Sequence, residues 1–250
     1  SCEAWIPRDR LAADPKYKDL LELWAEREAA AAKELYIPGV RLVSPGVLGV
    51  DLAYVTEVTK PGNGKYTCTP MAQAARDGAV RVITASLPKL GAANVQSMGL
   101  KYVLLCDTAQ AGGRDIGGIP VPPIKLLMLA AGGSGSDAYR ERIFFHELYH
   151  YLEFTKRGGL QDAAWDKQFD GYGGGYGTPD ASSSQLGGGA GGFASAYAQT
   201  LPEEDRAEIF SFLMSDAQGL KALATKNQDK VLQAKIAYIE TVMKTQFGMK

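Results

Sequence analysis

The sequence predicts an α/β (α+β) fold, with a mixed sheet in a first lobe and helices in a second. Three patterns predict it: short runs rich in β-branched residues fill the first half, an amphipathic helix follows them, and helical spacing dominates after about residue 202. We assign one domain over residues 1–250, with an N-terminal lobe at 1–157 and a C-terminal lobe at 158–250. A hydrophobic content of 46% is ample for such a core.

The N-terminal lobe is predicted to begin with a helix and to continue with strands. Asp14 and Pro15 supply an N-cap and a proline at the first helical position, which predicts a helix over residues 14–35. Pro-Gly pairs, which are typical of turns, punctuate the runs that follow. The predicted strands cover residues 40–43, 47–58, 80–83, 102–106 and 124–130.

The pattern over residues 137–157 predicts one amphipathic helix. Ser136 or Asp137 can act as its N-cap, and Gly158 with Gly159 forms a C-terminal signal after two basic residues. Apolar residues surround its polar positions, so we expect the helix to be buried in the domain.

This helix carries the only two histidines of the chain, in the pattern H-E-x-x-H formed by His146, Glu147 and His150. Positions i and i+4 of a helix share one face, so both imidazoles can reach the same metal ion. Glu147 lies near that ion and can accept a proton from a zinc-bound water. The spacing therefore predicts a zinc site with a general base.

A catalytic zinc ion takes three protein ligands and one water, so the two histidines need a third partner. The chain has no further histidine and no suitably placed cysteine, which leaves a downstream carboxylate. Glu204 and Glu208 share a helix face, so one can bind zinc while the other supports a histidine. Alternatively, the acids only stabilise a helix N-terminus. The candidates after Pro202 are Glu203, Glu204, Asp205 and Glu208.

The segment between these two helices, residues 171–192, is dominated by glycine and serine. Its length and composition predict a long mobile loop, either a lid or a disordered spacer. Helices are then expected from Pro202 to about residue 214, over 219–225 and over 229–247.

Charge and cysteine content limit the possible partners. Twenty-seven basic and 28 acidic residues nearly cancel, which argues against nucleic acid and anionic membranes as partners. No apolar run approaches the ~20 residues of a transmembrane helix.

Cys68 and Cys106 can form one bridge if the protein is exported. Cys2 is either the lipid-anchored cysteine of a mature bacterial lipoprotein or a free thiol on a frayed terminus.

The stretch over residues 197–208, Y-A-Q-T-L-P-E-E-D-R-A-E, resembles the tyrosine-spacer-E-x-x-A-E block of gluzincin metallopeptidases. The resemblance is to the group that contains the anthrax lethal factor catalytic domain, secreted proline-specific endopeptidases and bacterial zinc-binding metallopeptidase lipoproteins. It covers about residues 144–214. Trp165, Phe169 and Tyr172 are similar to aromatic residues found between the two motifs in the lipoprotein branch.

The resemblance implies a zincin-like, two-lobed fold and specific roles. Zn²⁺ would be bound by His146, His150 and Glu204, with Glu208 supporting the site. Tyr197, seven residues before Glu204, would help to stabilise the oxyanion. Strand 124–130 would border the cleft, where an extended peptide can add to a free edge; an internal strand is the alternative.

The function expected from this resemblance is that of a secreted or cell-surface zinc-dependent endopeptidase with a protein or peptide substrate. Glu147 would act as general base and Tyr197 as oxyanion donor. Two alternatives stay open: a non-catalytic zinc-containing binding or adhesion protein, and a zinc hydrolase of non-peptide amides or esters. A retained Glu147 argues against the first, because a structural zinc needs no base.

Overall fold

The computed structural model of the chain describes residues 39–60, 65–133, 135–171, 174–177 and 183–249, together with residues 13, 15 and 18. The helix predicted over 14–35 and the candidate lipid anchor Cys2 therefore lie outside the described residues, apart from those isolated positions.

Strands and helices alternate in the first half of the described chain, and helices dominate the second. The helices are α1 Gln73–Ser86, α2 Ala92–Ser97, α3 Asp137–Leu152, α4 Ala163–Phe169, α5 Pro202–Lys226 and α6 Lys230–Thr245. The strands are β1 Val40–Val47, β2 Val50–Val55, β3 Tyr66–Cys68, β4 Tyr102–Cys106, β5 Ala109–Ala111, β6 Arg114–Ile116, β7 Gly118–Val121 and β8 Leu126–Ala130.

The main sheet is mixed and has the strand order β1-β2-β4-β8-β7. The β2–β4 and β4–β8 pairs are parallel, while β1–β2 and β7–β8 are antiparallel. A smaller antiparallel sheet has the order β3-β5-β6. A disulfide between Cys68 and Cys106, with Cα atoms 5.2 Å apart, joins β3 to β4. The predicted mixed α/β fold is confirmed, whereas the division into two lobes at residues 157 and 158 stays a prediction.

Two strand predictions were wrong, each for a physical reason. Residues 80–83 lie inside α1, which buries Gly78, Ala79, Val82 and Ile83 at helical spacing. The β-branched residues of this run pack on a helix face, so tertiary burial overrides their strand preference. The residues predicted as one strand over 47–58 instead form the end of β1, a tight turn and β2.

The prediction that strand 124–130 borders the cleft was also wrong. The observed strand, β8, lies between β4 and β7, and four of its five residues are buried. A continuous apolar run is typical of such an internal strand. In the described part of the chain, the sheet ends instead at β7, which contains Pro120.

The helices pack on one another and on the main sheet. One cluster of buried residues unites the sheet with α1, α3, α5 and α6, for example through Leu105, Phe145, Phe210 and Ile239. Helix α3 contacts α1, α5, β7 and β8, so it occupies the centre of the molecule. Among the described residues, no helix has the length and apolar character that crossing a membrane requires.

Candidate metal centre

Helix α3 is capped and buried as its sequence predicts. The Ser136 side chain accepts a hydrogen bond from the backbone N–H of Tyr139 at 3.2 Å. All nine residues from Phe144 to Leu152 are buried. The helix then widens into a π-helical turn, Glu153–Arg157, which ends at Gly158 with a φ of 82°. The candidate histidines therefore sit on a fixed element, as a metal site requires.

Three side chains converge at the cleft. His146 Nε2 lies 2.9 Å from Glu204 Oε2, and His150 Nε2 lies 3.4 Å from the same oxygen. One potential ligand atom from each of the three residues lies within 4.8 Å of the other two. The structure thus brings together the three predicted ligands, two from α3 and one from the first turn of α5.

The arrangement fits a zinc ion. Zinc binds imidazole nitrogen and carboxylate oxygen at about 2.0–2.2 Å in tetrahedral geometry, which separates neighbouring ligand atoms by roughly 3.3–3.5 Å. The distance of 3.4 Å between His150 and Glu204 already has this value. The distance of 2.9 Å between His146 and Glu204 needs only a small opening.

The candidate ligand residues influence one another's protonation. Burial lowers the pKa of His146, but hydrogen bonds with Glu204 and Glu208 raise it well above its ordinary value. Burial also lowers the pKa of His150, and Glu204 outweighs that effect, so this pKa is raised as well. Burial raises the pKa of Glu204, but hydrogen bonds with both histidines hold it far below its usual range. A bound cation must displace the histidine protons, so its affinity should fall at low pH.

Glu208 supports His146 from behind. Its Oε1 lies 2.8 Å from His146 Nδ1, and its Oε2 accepts a hydrogen bond of 2.6 Å from the Ser195 hydroxyl. The Ser195 oxygen in turn accepts from the backbone N–H of Ala198 at 3.2 Å. This arrangement holds the imidazole with Nε2 facing Glu204. The supporting role of Glu208 at a metal site stays a prediction.

Glu147 lies beside the two histidines and against strand β7. It is 7% exposed, and burial raises the pKa of its carboxyl group. A Cβ atom on Gly118 would lie only 2.7 Å from Glu147 Cγ and 2.7 Å from the carbonyl oxygen of Met128. Glycine at this position is therefore what allows β7 to approach the candidate base.

Tyr197 lies next to the candidate ligands. Its ring centroid is 5.7 Å from that of His146. Burial raises the pKa of the Tyr197 hydroxyl above its ordinary value, and the nearby charges and a hydrogen bond to Glu204 raise it further. The hydroxyl therefore stays protonated at neutral pH and is able to donate a hydrogen bond at this site.

The two remaining acidic candidates do not join this cluster. Asp205 is fully buried and accepts hydrogen bonds from Lys235 and Tyr176, both at 2.7 Å. Glu203 lines a separate cavity with Asp162. Among the four acids that the sequence offered, only Glu204 and Glu208 contact the histidines.

Sequence reasoning missed several residues of the site. Glu153 and Arg206 form a buried ion pair of 2.9 Å beneath His150, and Ser195 holds Glu208. The position of Glu153, three residues after His150 on the same helix, was the one available signal. Ser195 and Gly118 reach the site only through tertiary packing.

The cleft above the site has a volume of about 600 Å³. Most of its wall is apolar or aromatic, and the small sheet contributes to the rim. Its polar lining consists of the residues described above together with Asp115, Arg142 and Ser184. Its wall includes Tyr66, Ile116, Ile119, Tyr139, Ile143 and Phe154.

Comparisons with known proteins bear on the fold alone. No protein-family model matches the chain, and no curated protein matches it. In fold, the chain is similar to a crystal structure from Bacteroides caccae described as a "putative zinc-binding metallo-peptidase". The two share a TM-score of 0.52 and 16% sequence identity, over 91% of this chain and 88% of the other. The chain thus has a mixed α/β fold similar to that of this crystal structure.

Proposed function

We propose that this protein is a zinc-dependent endopeptidase, with His146, His150 and Glu204 as the zinc ligands. The observation that supports it best is the meeting of these three residues with the buried carboxyl group of Glu147 at one cleft. When bound there, zinc supplies a Lewis acid and lowers the pKa of a coordinated water to about 7.

The residues around this centre suit peptide hydrolysis. Glu147 accepts the proton of the attacking water and later delivers it to the leaving amine. Tyr197 donates a hydrogen bond to the oxyanion, a contribution of typically ~3 kcal/mol. Glu208 holds His146 in the orientation that binds metal.

Strand β7 favours a peptide over a small amide or ester. The backbone N–H of Ala130 donates to the carbonyl of Gly117 at 2.8 Å, which sets the pairing of β7 with β8. The alternation of antiparallel pairs then directs the N–H and C=O of Gly118, and the C=O of Pro120, toward the open edge. An extended peptide can pair with that edge directly beside Glu147.

We further propose that the protein acts outside the cytoplasm. The disulfide between Cys68 and Cys106 supports export, because such bonds persist mainly in oxidising compartments. A lipid anchor at Cys2 is part of this proposal, and mass spectrometry of protein recovered from the native membrane fraction would detect it.

The test of the proposed activity is cleavage of a peptide library, read by mass spectrometry, with metal-stripped and zinc-restored protein. We expect zinc-dependent cleavage that Glu147→Gln abolishes while zinc stays bound. Glu203→Gln, an equal change outside the cluster, is the matched control and should cleave like the parent. Cleavage by metal-stripped protein, or by Glu147→Gln at the parent rate, would contradict the proposal.

A further inference from the structure

The two histidines differ in the surroundings of Nδ1, the ring nitrogen that faces away from Glu204. His146 Nδ1 lies 2.8 Å from Glu208, whereas His150 Nδ1 has no hydrogen-bond partner among the described residues. Among the described residues, its nearest carboxylate oxygen is Glu153 Oε1, at 3.9 Å. That oxygen is itself buried and without a described hydrogen-bond partner.

Only one of the two carboxylate oxygens of Glu153 is hydrogen-bonded. Its Oε2 accepts hydrogen bonds from Arg206 Nε at 3.2 Å and from Arg206 Nη2 at 2.9 Å. Arg206 also donates to the carbonyl of Leu160 and packs over the ring of Trp165. Both members of the pair are at most 1% exposed. The carboxylate is therefore fixed from one side, while its other oxygen faces His150.

An imidazole that binds a metal through Nε2 carries its proton on Nδ1 and needs an acceptor there. His150 Nδ1 itself is buried from solvent, so we take its acceptor from the protein. Closing the gap from 3.9 Å to a hydrogen bond of about 2.8 Å needs only a small movement of the ring.

We propose that Glu153 accepts a hydrogen bond from His150 Nδ1–H and so acts as the positioning residue for this ligand, with Arg206 holding Glu153 in place. The inference rests on the proposed zinc site. Each histidine would then have its own carboxylate: Glu208 for His146 and Glu153 for His150.

Glu153→Gln tests the proposal by zinc affinity, measured by competition with a chromophoric chelator. Arg206 presents only donors, so it takes the amide oxygen and leaves the NH₂ group against His150 Nδ1–H. We expect zinc to bind about 10–100-fold more weakly. Asp162→Asn is the matched control, because Asp162 belongs to the same buried charge network through Arg157 but not to the contacts of either histidine. Its zinc affinity should equal that of the parent.

A second readout separates positioning from a structural effect. The chain has only two histidines, so imidazole NMR of the zinc-loaded protein should give two ring N–H signals. Glu153→Gln should shift the signal of His150 and leave that of His146 in place. If this variant does not fold in chelator, Glu153→Leu combined with Arg206→Met removes the acceptor and the cation together and should show the same two effects.

Unchanged zinc affinity and an unchanged His150 signal would overturn this inference while leaving the zinc site intact. Equal weakening in Asp162→Asn would also overturn it, because the loss would then belong to the whole charge network. A parent protein that binds no zinc would instead overturn the proposed function, and this inference with it.

Discussion

Glu204 and Asp205 are neighbours in the first turn of α5, yet their carboxylates belong to two different polar clusters. Glu204 meets His146 and His150 and borders the cleft. Asp205 pairs with Lys235, whose ammonium group lies 3.9 Å from the centre of the Phe193 ring. Asp205 is fully buried. Each cluster also contains one tyrosine hydroxyl.

The two clusters differ in the side chain that partners the carboxylate and in their access to solvent. A lysine ammonium group has only donors, so Lys235 binds Asp205 Oδ2 and offers no lone pair to a metal ion. A histidine that releases its proton exposes a lone pair, so two histidines and a glutamate can together bind an external cation. Neighbouring positions on one helix turn thus serve a structural ion pair and a candidate metal centre.

The largest expected effect separates the two carboxylates. Glu204→Ala removes a proposed ligand and should weaken zinc binding by more than ~100-fold, the upper range for loss of a supporting residue. Asp205→Ala should leave zinc affinity unchanged but cost about 3–5 kcal/mol of unfolding free energy, because it strands the buried Lys235 charge. Chelator competition and denaturant unfolding measure the two quantities. Equal loss of zinc affinity in both variants would contradict the claim that only Glu204 belongs to the metal site.

The two tyrosines provide the next test. Tyr197→Phe should lower kcat by ~100-fold on a cleaved peptide, with KM and zinc content nearly unchanged, because its proposed donation to the oxyanion arises only in the transition state. Tyr176→Phe is the matched change in the other cluster. It removes a hydrogen bond of 2.7 Å to Asp205, so it should lower the free energy of unfolding by ~1–3 kcal/mol and leave kcat alone. An unchanged kcat in Tyr197→Phe would remove that residue from the mechanism.

A smaller effect is expected for Glu208 and Ser195, which hold His146 in place. Glu208→Ala should weaken zinc binding by ~10–100-fold, because His146 loses its acceptor. Ser195→Ala leaves the acceptor in place and removes only its fixing hydroxyl, so its loss should be smaller. The same chelator competition ranks them, and a larger loss in Ser195→Ala would refute this order of support.

The last expected effect is a pH dependence in the Asp205 cluster. Burial raises the pKa of Asp205 from 3.8 to about 6, although Lys235 opposes it. The folded protein therefore binds this proton more tightly than the unfolded chain. The stabilisation is fully present below about pH 3.8 and is lost as the pH rises through about 6. In chelator, the unfolding free energy of the parent should fall relative to Asp205→Asn across this window; a constant difference would contradict the raised pKa.

The sequence predicted those parts of the site that depend on local periodicity. His146 and His150 share a face of α3, and Glu204 and Glu208 share a face of α5, because both pairs are four residues apart. The start of α3 and the end of the π-helical turn that follows it were likewise signalled by Ser136 and Gly158.

Features that depend on tertiary approach could not be predicted in this way. Nothing in a local pattern distinguishes Asp205 from Glu204 as a partner for Lys235, which lies 30 residues away in the chain. The edge position of β7 depends on the pairing of a four-residue strand with β8, and the role of Gly118 depends on where Glu147 reaches it. Short strands and close contacts of this kind carry almost no periodic signal.

The central claim is that the histidine cluster, and not the lysine cluster, binds zinc. The most direct test is elemental analysis of the parent protein, purified without chelator, beside His150→Ala prepared in the same way. We predict one zinc ion per chain in the parent and none in His150→Ala. A parent protein that lacks zinc and takes up none when zinc is added, or a His150→Ala variant with full zinc content, would contradict the account.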